Sequence, residues 1–314
     1  MDKLYPKLLL TFFILLSIPF TSIRVFSQST SNLDAIVNNF LSGKVVYDEI
    51  YDFTSKGGTL EIVDAVNLYL SYDNSRVRGL VYQILKKSII KETDLKAKQK
   101  GVSVLCSSGL SDADAGNVYA VINYLEEFDM EWFDIRSRNF ITSIVVQHPP
   151  HFSDLIKLVG KVELIQLIPY LELGLQDKKM NSSDIWSINL VLARWGDETK
   201  AKYCVESVRR LGLSDEVVFR LIPDLIYINN KIIYDYLFEE IQKKDLNCLS
   251  TDPDNEVQIN CAYRLIEFIS PHIIDFPVGL SPTGELNVNS YEAALESVRT
   301  WIESNKNSYQ LINN

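Results

Sequence analysis

The chain has 314 residues, 46% of them apolar, and a net charge of −10. That length can bury a sizeable core, and that acidity opposes tracking of a phosphate backbone; the short basic runs Lys86-Lys87 and Lys96 to Lys100 read as solvated helix faces, so no nucleic acid is expected as partner. Thirteen glycines and ten prolines are too few for a sandwich or barrel, which turns about every 8–12 residues.

Residues 1–27 read as a secretory signal peptide. Two lysines, Lys3 and Lys7, precede the apolar run Leu8 to Phe20, and Val25-Phe26-Ser27 offers small residues at the −3 and −1 positions of a cut before Gln28. The run is short for a membrane span, which needs about 20 residues, and Pro19 interrupts it. No later apolar run reaches that length, so membrane contact is expected only through this segment where it stays uncleaved. The Ser-Gln junction resembles those of proteins exported by Gram-negative bacteria, which implies a periplasmic or extracellular location.

From residue 33 onward the apolar period is helical. Val77, Leu80, Val81, Ile84 and Leu85 form one stripe; Ala201, Cys204, Val205, Val208 and Leu211 form another, and Ala262, Leu265, Ile266 and Ile269 a third. The spacing predicts helices over 33–42, 46–55, 60–71, 75–90, 94–107, 112–127, 131–146 and 151–159. It continues over 162–175, 183–195, 198–211, 215–228, 231–243, 255–269 and 290–304. Ser111, Ser183 and Ser214 are read as N-caps, because each precedes acidic residues and then an apolar stripe. No segment alternates with period two.

Helices starting near 60, 94, 131, 162, 198 and 231 lie about 31–37 residues apart, each pair enclosing a second helix, the mark of an α-solenoid. Asp252 to Phe268 (DPDNEVQINCAYRLIEF) resembles the second helix of a HEAT repeat, and Asp73 to Arg78 (DNSRVR) resembles it without the proline. Leu192 to Asp197 (LARWGD) is similar to a junction between two such repeats, with Gly196 capping one helix and Asp197 turning the chain into the next. The resemblance implies an all-α chain, a right-handed α-solenoid of stacked antiparallel helix pairs over 28–270. Residues 271–314 then supply a long loop, Pro271 to Ser290, and a C-terminal capping helix.

Four cysteines remain. Cys248 and Cys261 either close a disulfide across 13 residues or are two buried thiols; Cys106 and Cys204 read as buried thiols. His148-Pro-Pro-His151 with Asp154 matches no zinc spacing and reads as a loop. Asp252, Asp254 and Glu256 lack the glycine and final glutamate of a calcium loop and read as acids at a helix start. Ser88-Ile-Ile-Lys91 has no companion motif of a serine–lysine enzyme. No cofactor is expected.

The densest acidic cluster is Glu126, Glu127, Asp129, Glu131 and Asp134, set among Phe128, Trp132 and Phe133. It reads as a solvated turn with aromatic anchors, and Glu126, Glu127 and Asp129 are the candidate ligand-site residues. Tyr69, Tyr82, Tyr119 and Tyr263 fall at core spacing. The expectation is an exported, non-catalytic scaffold that binds a protein or peptide through a helical-repeat surface. The alternatives are a glycan-active enzyme using the acidic cluster, or a structural part of a cell-envelope assembly.

Overall fold

The computed structural model describes residues 30–250 and 257–312. Residues 1–27, expected to be a signal peptide, and the acids Asp252, Asp254 and Glu256 lie outside the described residues. The chain is mostly helical, and its contacts divide it into two compact units that meet in sequence at Leu164 and Ile165. Among the described residues, no helix is long and apolar enough to cross a membrane.

The first unit holds α1 (30–41), α2 (Tyr47–Lys56), α3 (Thr59–Val66), α4 (Ser75–Lys91), α5 (Leu95–Val104), α6 (Ala115–Glu126), α7 (Ile135–Val145) and α8 (Phe152–Lys161). Helices α2, α4, α6 and α8 each touch the next of that series, as do α3, α5 and α7, and α4 packs on both α3 and α5. The result is two layers, with successive helices alternating between them. The stripe of α4 supplies the shared interior: Val77, Val81, Ile84 and Leu85 have no exposed surface.

The second unit holds α9 (Ile168–Gly174), α10 (Ser182–Arg194), α11 (Glu198–Leu211), α12 (Asp215–Arg220), α13 (Ile222–Ile228), α14 (Lys231–Gln242), α15 (Ala262–Ile269) and α16 (Tyr291–Asn305). Here α13 touches α10 and α15, and α14 touches α11 and α16. The terminal helix α16 packs against α14 and α15 through Ala294, Leu295, Val298 and Ile302, all buried.

Within each unit, several side-chain links join helices or the residues that flank them. In the first unit Tyr69 bonds Asp34, Thr59 bonds Ser88, Arg78 bonds Asp112, Gln99 bonds Glu131 and Lys161 bonds Glu126. In the second, Trp186 bonds Asp224, Arg194 bonds Tyr227, Arg209 bonds Glu239 and Asp215 accepts from Leu249. The partners stand 29 to 38 residues apart.

Where helices stop, the cause is local. Gly196 takes φ +101°; its N–H reaches Ala193 O and the Asp197 N–H reaches Leu192 O, closing the last turn of α10. The Asp197 carboxylate then accepts from Thr199 and Lys200 N–H at the start of α11.

Several expectations need correction. The chain is not wholly helical, because Cys248–Leu249 (β1) pairs antiparallel with Gln258–Ile259 (β2). A disulfide joins Cys248 to Cys261, Gln258–Ile259 is held in a strand, and the helix expected over 255–269 begins only at Ala262. The helix expected over 215–228 breaks at Leu221, since Pro223 brings no N–H and crowds the preceding turn. Ser214 does cap α12, accepting from Val217 N–H. Ser111 does not cap α6; Asp114 does, and Ser111 donates instead to Ser107 O. Asn181 rather than Ser183 caps α10. The segment 131–146 divides into a 3-10 turn, Met130–Trp132, and α7, which Asp134 caps. The helix expected over 60–71 stops at Val66, and 94–107 passes after Val104 into a wider π turn, Leu105–Gly109. The segment 162–175 resolves into a 3-10 turn, Ile165–Leu167, and α9. Leu211 and Tyr119 are exposed rather than core.

Candidate interaction groove

A groove of about 510 Å³ lies between α1, α2 and α3. Each of its two long walls is a helical stripe. Asn32, Ala35, Ile36 and Asn39 line it from α1, and Glu49, Asp52, Phe53 and Lys56 from α2, both sets at i, i+3, i+4 and i+7. Gly57, Glu61 and Ile62 close the third side. Small or short residues on α1 keep the trough open, while Leu33 and Val37 are turned away into the core.

The floor is apolar and the rim is acidic. Ile36, Phe53 and Ile62 form the floor, nearly buried by their own neighbours. Glu49, Asp52 and Glu61 stand exposed around it. Lys56 pairs with Asp52 at 3.0 Å, both side chains largely in solvent, so this pair adds little to stability. Glu49 and Glu61 form no ion pair among the described residues. Lys56 and Gly57 mark the C-terminal end of α2, where the helix dipole adds further negative potential.

The neighbouring helix α4 holds these walls in place. Thr59 N–H donates to Glu92 Oε2 at 3.1 Å, and Thr59 Oγ1 lies 2.8 Å from Ser88 Oγ. Lys91 Nζ sits 4.1 Å from the Tyr51 ring centre and donates to Ser55 Oγ. Arg76 lies over the Phe40 ring. Ser88 and Lys91, the two ends of the serine–lysine pattern, are thus both engaged in joining helices.

The residues singled out in the sequence are placed as follows. Glu127 Oε1 pairs with Lys86 Nζ at 2.6 Å. Glu126 gives its backbone carbonyl to Lys161. Asp129 is exposed and its carbonyl accepts from Trp132 N–H. Asp134 accepts from Ser137 N–H and Oγ at 2.8 Å each. Phe128, Trp132 and Phe133 are buried beneath them. Through these contacts and the Gln99–Glu131 bond the cluster links the end of α6 to α4 and α8, reaches α5, and caps α7.

The two histidines of the His-Pro-Pro-His run face different partners. The His148 ring stacks on Phe152 at 4.0 Å, whereas His151 meets Tyr119 at 5.0 Å and lies 3.9 Å from Asp154. Both take positive φ, 51° and 59°, one on each side of the two prolines. Among the described residues no three His, Cys, Asp or Glu side chains are grouped to hold a metal ion. Cys106 and Cys204 are buried thiols, and burial pushes Cys204 up to about 12.

Two clefts in the second unit have simpler explanations. One of about 710 Å³ runs between α14 and α16; its Lys231 already bonds Asp235 and Lys306 O and lies over Tyr309. Another, about 310 Å³, lies at the C-terminal ends of α10, α13 and α15. Arg194 reaches it and bonds Tyr227 O in the last turn of α13, neutralising a negative helix pole. Burial lowers the His272 pKa there, keeping the imidazole neutral near pH 7.

Sequence reading missed the groove because its stripe on α2 carries a single apolar residue, Phe53, among three charges. The available signal was the charge of the first helices: residues 30–72 carry six acids, Asp34, Asp48, Glu49, Asp52, Glu61 and Asp64, against Lys44 and Lys56. No family model, no curated protein and no solved structure matches this chain.

Proposed function

We propose that the chain is an exported, non-catalytic scaffold, built as a HEAT-like right-handed α-solenoid, that binds a protein or peptide partner through its helical-repeat surface. The observation that carries the reading is the recurrence of side-chain links between positions about one helix pair apart, from Tyr69–Asp34 to Arg209–Glu239. Such links are what neighbouring repeats need, because one helix pair cannot bury both of its apolar stripes. The alternation of layers within each unit supports it further. The export signal read over 1–27 and the disulfide joining Cys248 to Cys261 fit a protein of an oxidising compartment. The groove between α1, α2 and α3 supplies a concave surface on which Glu49 and Glu61 form no ion pair among the described residues.

The test is cross-linking of the chain from residue 28 in its native envelope, followed by reconstitution of each candidate partner with purified protein. Saturable binding of a purified polypeptide supports the scaffold. Retention of glycan fragments with release of a cleaved product, and no polypeptide bound, overturns it.

A further inference from the structure

We infer that the groove between α1, α2 and α3 is the docking site for a cationic, amphipathic segment of the partner polypeptide, an inference that rests on the scaffold reading above. Three independent features of the groove select that chemistry. Its floor of Ile36, Phe53 and Ile62 accepts apolar side chains. Its rim carries Glu49, Asp52 and Glu61 against one base, Lys56, which Asp52 already pairs. The C-terminal end of α2 opens onto it at Lys56 and Gly57, and a helix C-terminus attracts positive charge.

The dimensions fit a segment and not a broad surface. About 510 Å³ lies within the usual range for pockets that hold small groups, enough for a few apolar side chains of one helix or strand. The two stripes, 32/35/36/39 and 49/52/53/56, each span an i to i+7 interval of their helix, roughly 10 Å of groove. An amphipathic helix places side chains at i and i+7 that distance apart on one face, so two apolar residues can enter the floor while lysines or arginines between them meet Glu49 and Glu61. An acidic segment would meet like charges on α2 and α3, at Glu49, Asp52 and Glu61, and a membrane or nucleic acid surface, being anionic, would be repelled.

The experiment uses the whole chain from residue 28 and two synthetic peptides with the same apolar pattern, one bearing lysine and the other glutamate at its polar positions. Binding is followed by fluorescence anisotropy at several salt concentrations. The lysine peptide is expected to bind with an affinity that falls with salt, and the glutamate peptide not to bind. Glu49→Gln with Glu61→Gln is expected to weaken the lysine peptide about tenfold, since both carboxylates are exposed and each contributes modestly. Ala35→Trp fills the trough while keeping every acid, and is expected to abolish binding. Asp48→Asn with Asp64→Asn removes two acids outside the groove and is expected to change the affinity less than twofold.

Equal weakening by both pairs of charge variants, or undiminished binding by Ala35→Trp, would show diffuse attraction to an acidic protein and overturn the groove. The scaffold reading is judged separately. A purified partner that binds the Glu49→Gln, Glu61→Gln and Ala35→Trp variants as it binds the natural chain places the interface elsewhere and leaves the scaffold standing.

Discussion

Arg78 forks onto Asp112 with two parallel hydrogen bonds, Nε to Oδ2 and Nη2 to Oδ1, each 2.7 Å long. The pair spans from α4 to the residues just before α6, and its side chains are only 11% and 1% exposed. The remaining capacity on both sides is used: Arg78 Nη1 donates to Tyr72 O and Asp73 O, and Asp112 accepts from Tyr82 Oη and from Asp114 N–H. A buried pair with satisfied neighbours is tolerated; half of one is not.

Arg78→Ala is therefore expected to destabilise the chain by about 3–5 kcal/mol, because Asp112 is left buried without its cation. Asp112→Asn keeps the shape and adds a pH signature. Burial alone would raise the Asp112 pKa, but the hydrogen bonds from Arg78, Asp114 N–H and Tyr82 outweigh it and hold the carboxyl at about 2. Its contribution is thus present above the unfolded value near 4 and lost as pH falls towards 2, about 2 kcal/mol in all. Urea midpoints measured between pH 2 and 6 should show that slope in the natural chain and a shallower one in Asp112→Asn. Identical slopes would mean that Asp112 titrates normally.

Glu92 serves two helix starts at once. Asp94 N–H and Thr59 N–H both donate to its carboxylate and, with Thr93 N–H, hold its pKa at about 2. Thr59 is the first residue of α3 and Asp94 the N-cap of α5, so these N–H groups have no helical partner of their own. Glu92→Gln is expected to lower stability by about 1 kcal/mol. Hydrogen exchange at Thr59 and Asp94 should quicken while that of the α4 interior stays slow. Because α3 is a wall of the acidic groove, the same variant should weaken a groove-bound peptide without altering a groove residue.

Helix positions were legible because most of these helices bury one side only, and a one-sided helix prints its period into the sequence. The stripes of α4 and α15 could be read directly, and α11 was placed at 198–211 because Gly196 and Asp197 mark its start chemically. What escaped were competitions among neighbours. Ser111 and Ser183 were plausible caps that lost to Asp114 and Asn181, whose side chains reach the correct N–H three residues on. The strand pair at Cys248 was invisible because two residues cannot display a period; a cross-link and the Arg264–Asp215 pair hold them there. The groove left no apolar pattern, since a surface that keeps its charges in water reads like any solvated face.

The Cys248–Cys261 disulfide fastens this short hairpin to the start of α15. For an enclosed loop of about 15 residues the cross-link is worth roughly 3 kcal/mol through the unfolded chain. Replacing both cysteines by serine should lower the melting temperature of the second unit and leave the first nearly unchanged. Cys106 and Cys204 report the same event differently. Burial raises both thiols, so a thiol reagent should label neither until the surrounding helices unfold. Rapid labelling of native protein would contradict the packing of α10, α11 and the π turn.

Gly101 faces α3 and α4 at a point with no room for a side chain. A Cβ there would lie 2.6 Å from Ile89 Cγ1, 2.9 Å from Ile89 Cδ1 and 3.1 Å from Thr59 Cγ2. Alanine would gain up to about 1 kcal/mol in helix propensity, but overpacking a filled core loses about 1–3 kcal/mol. Ile89 is fully buried and cannot swing away, so the loss should prevail and Gly101→Ala should be net destabilising. Ile89→Ala empties the same spot and alone should lower stability by about 2–5 kcal/mol. In combination the new methyl occupies part of that space, so the double variant should be more stable than the sum of the two single effects predicts. Strict additivity in denaturant titrations would mean that α5 does not approach α4 closely at Gly101, and the two-layer packing behind the groove would have to be redrawn.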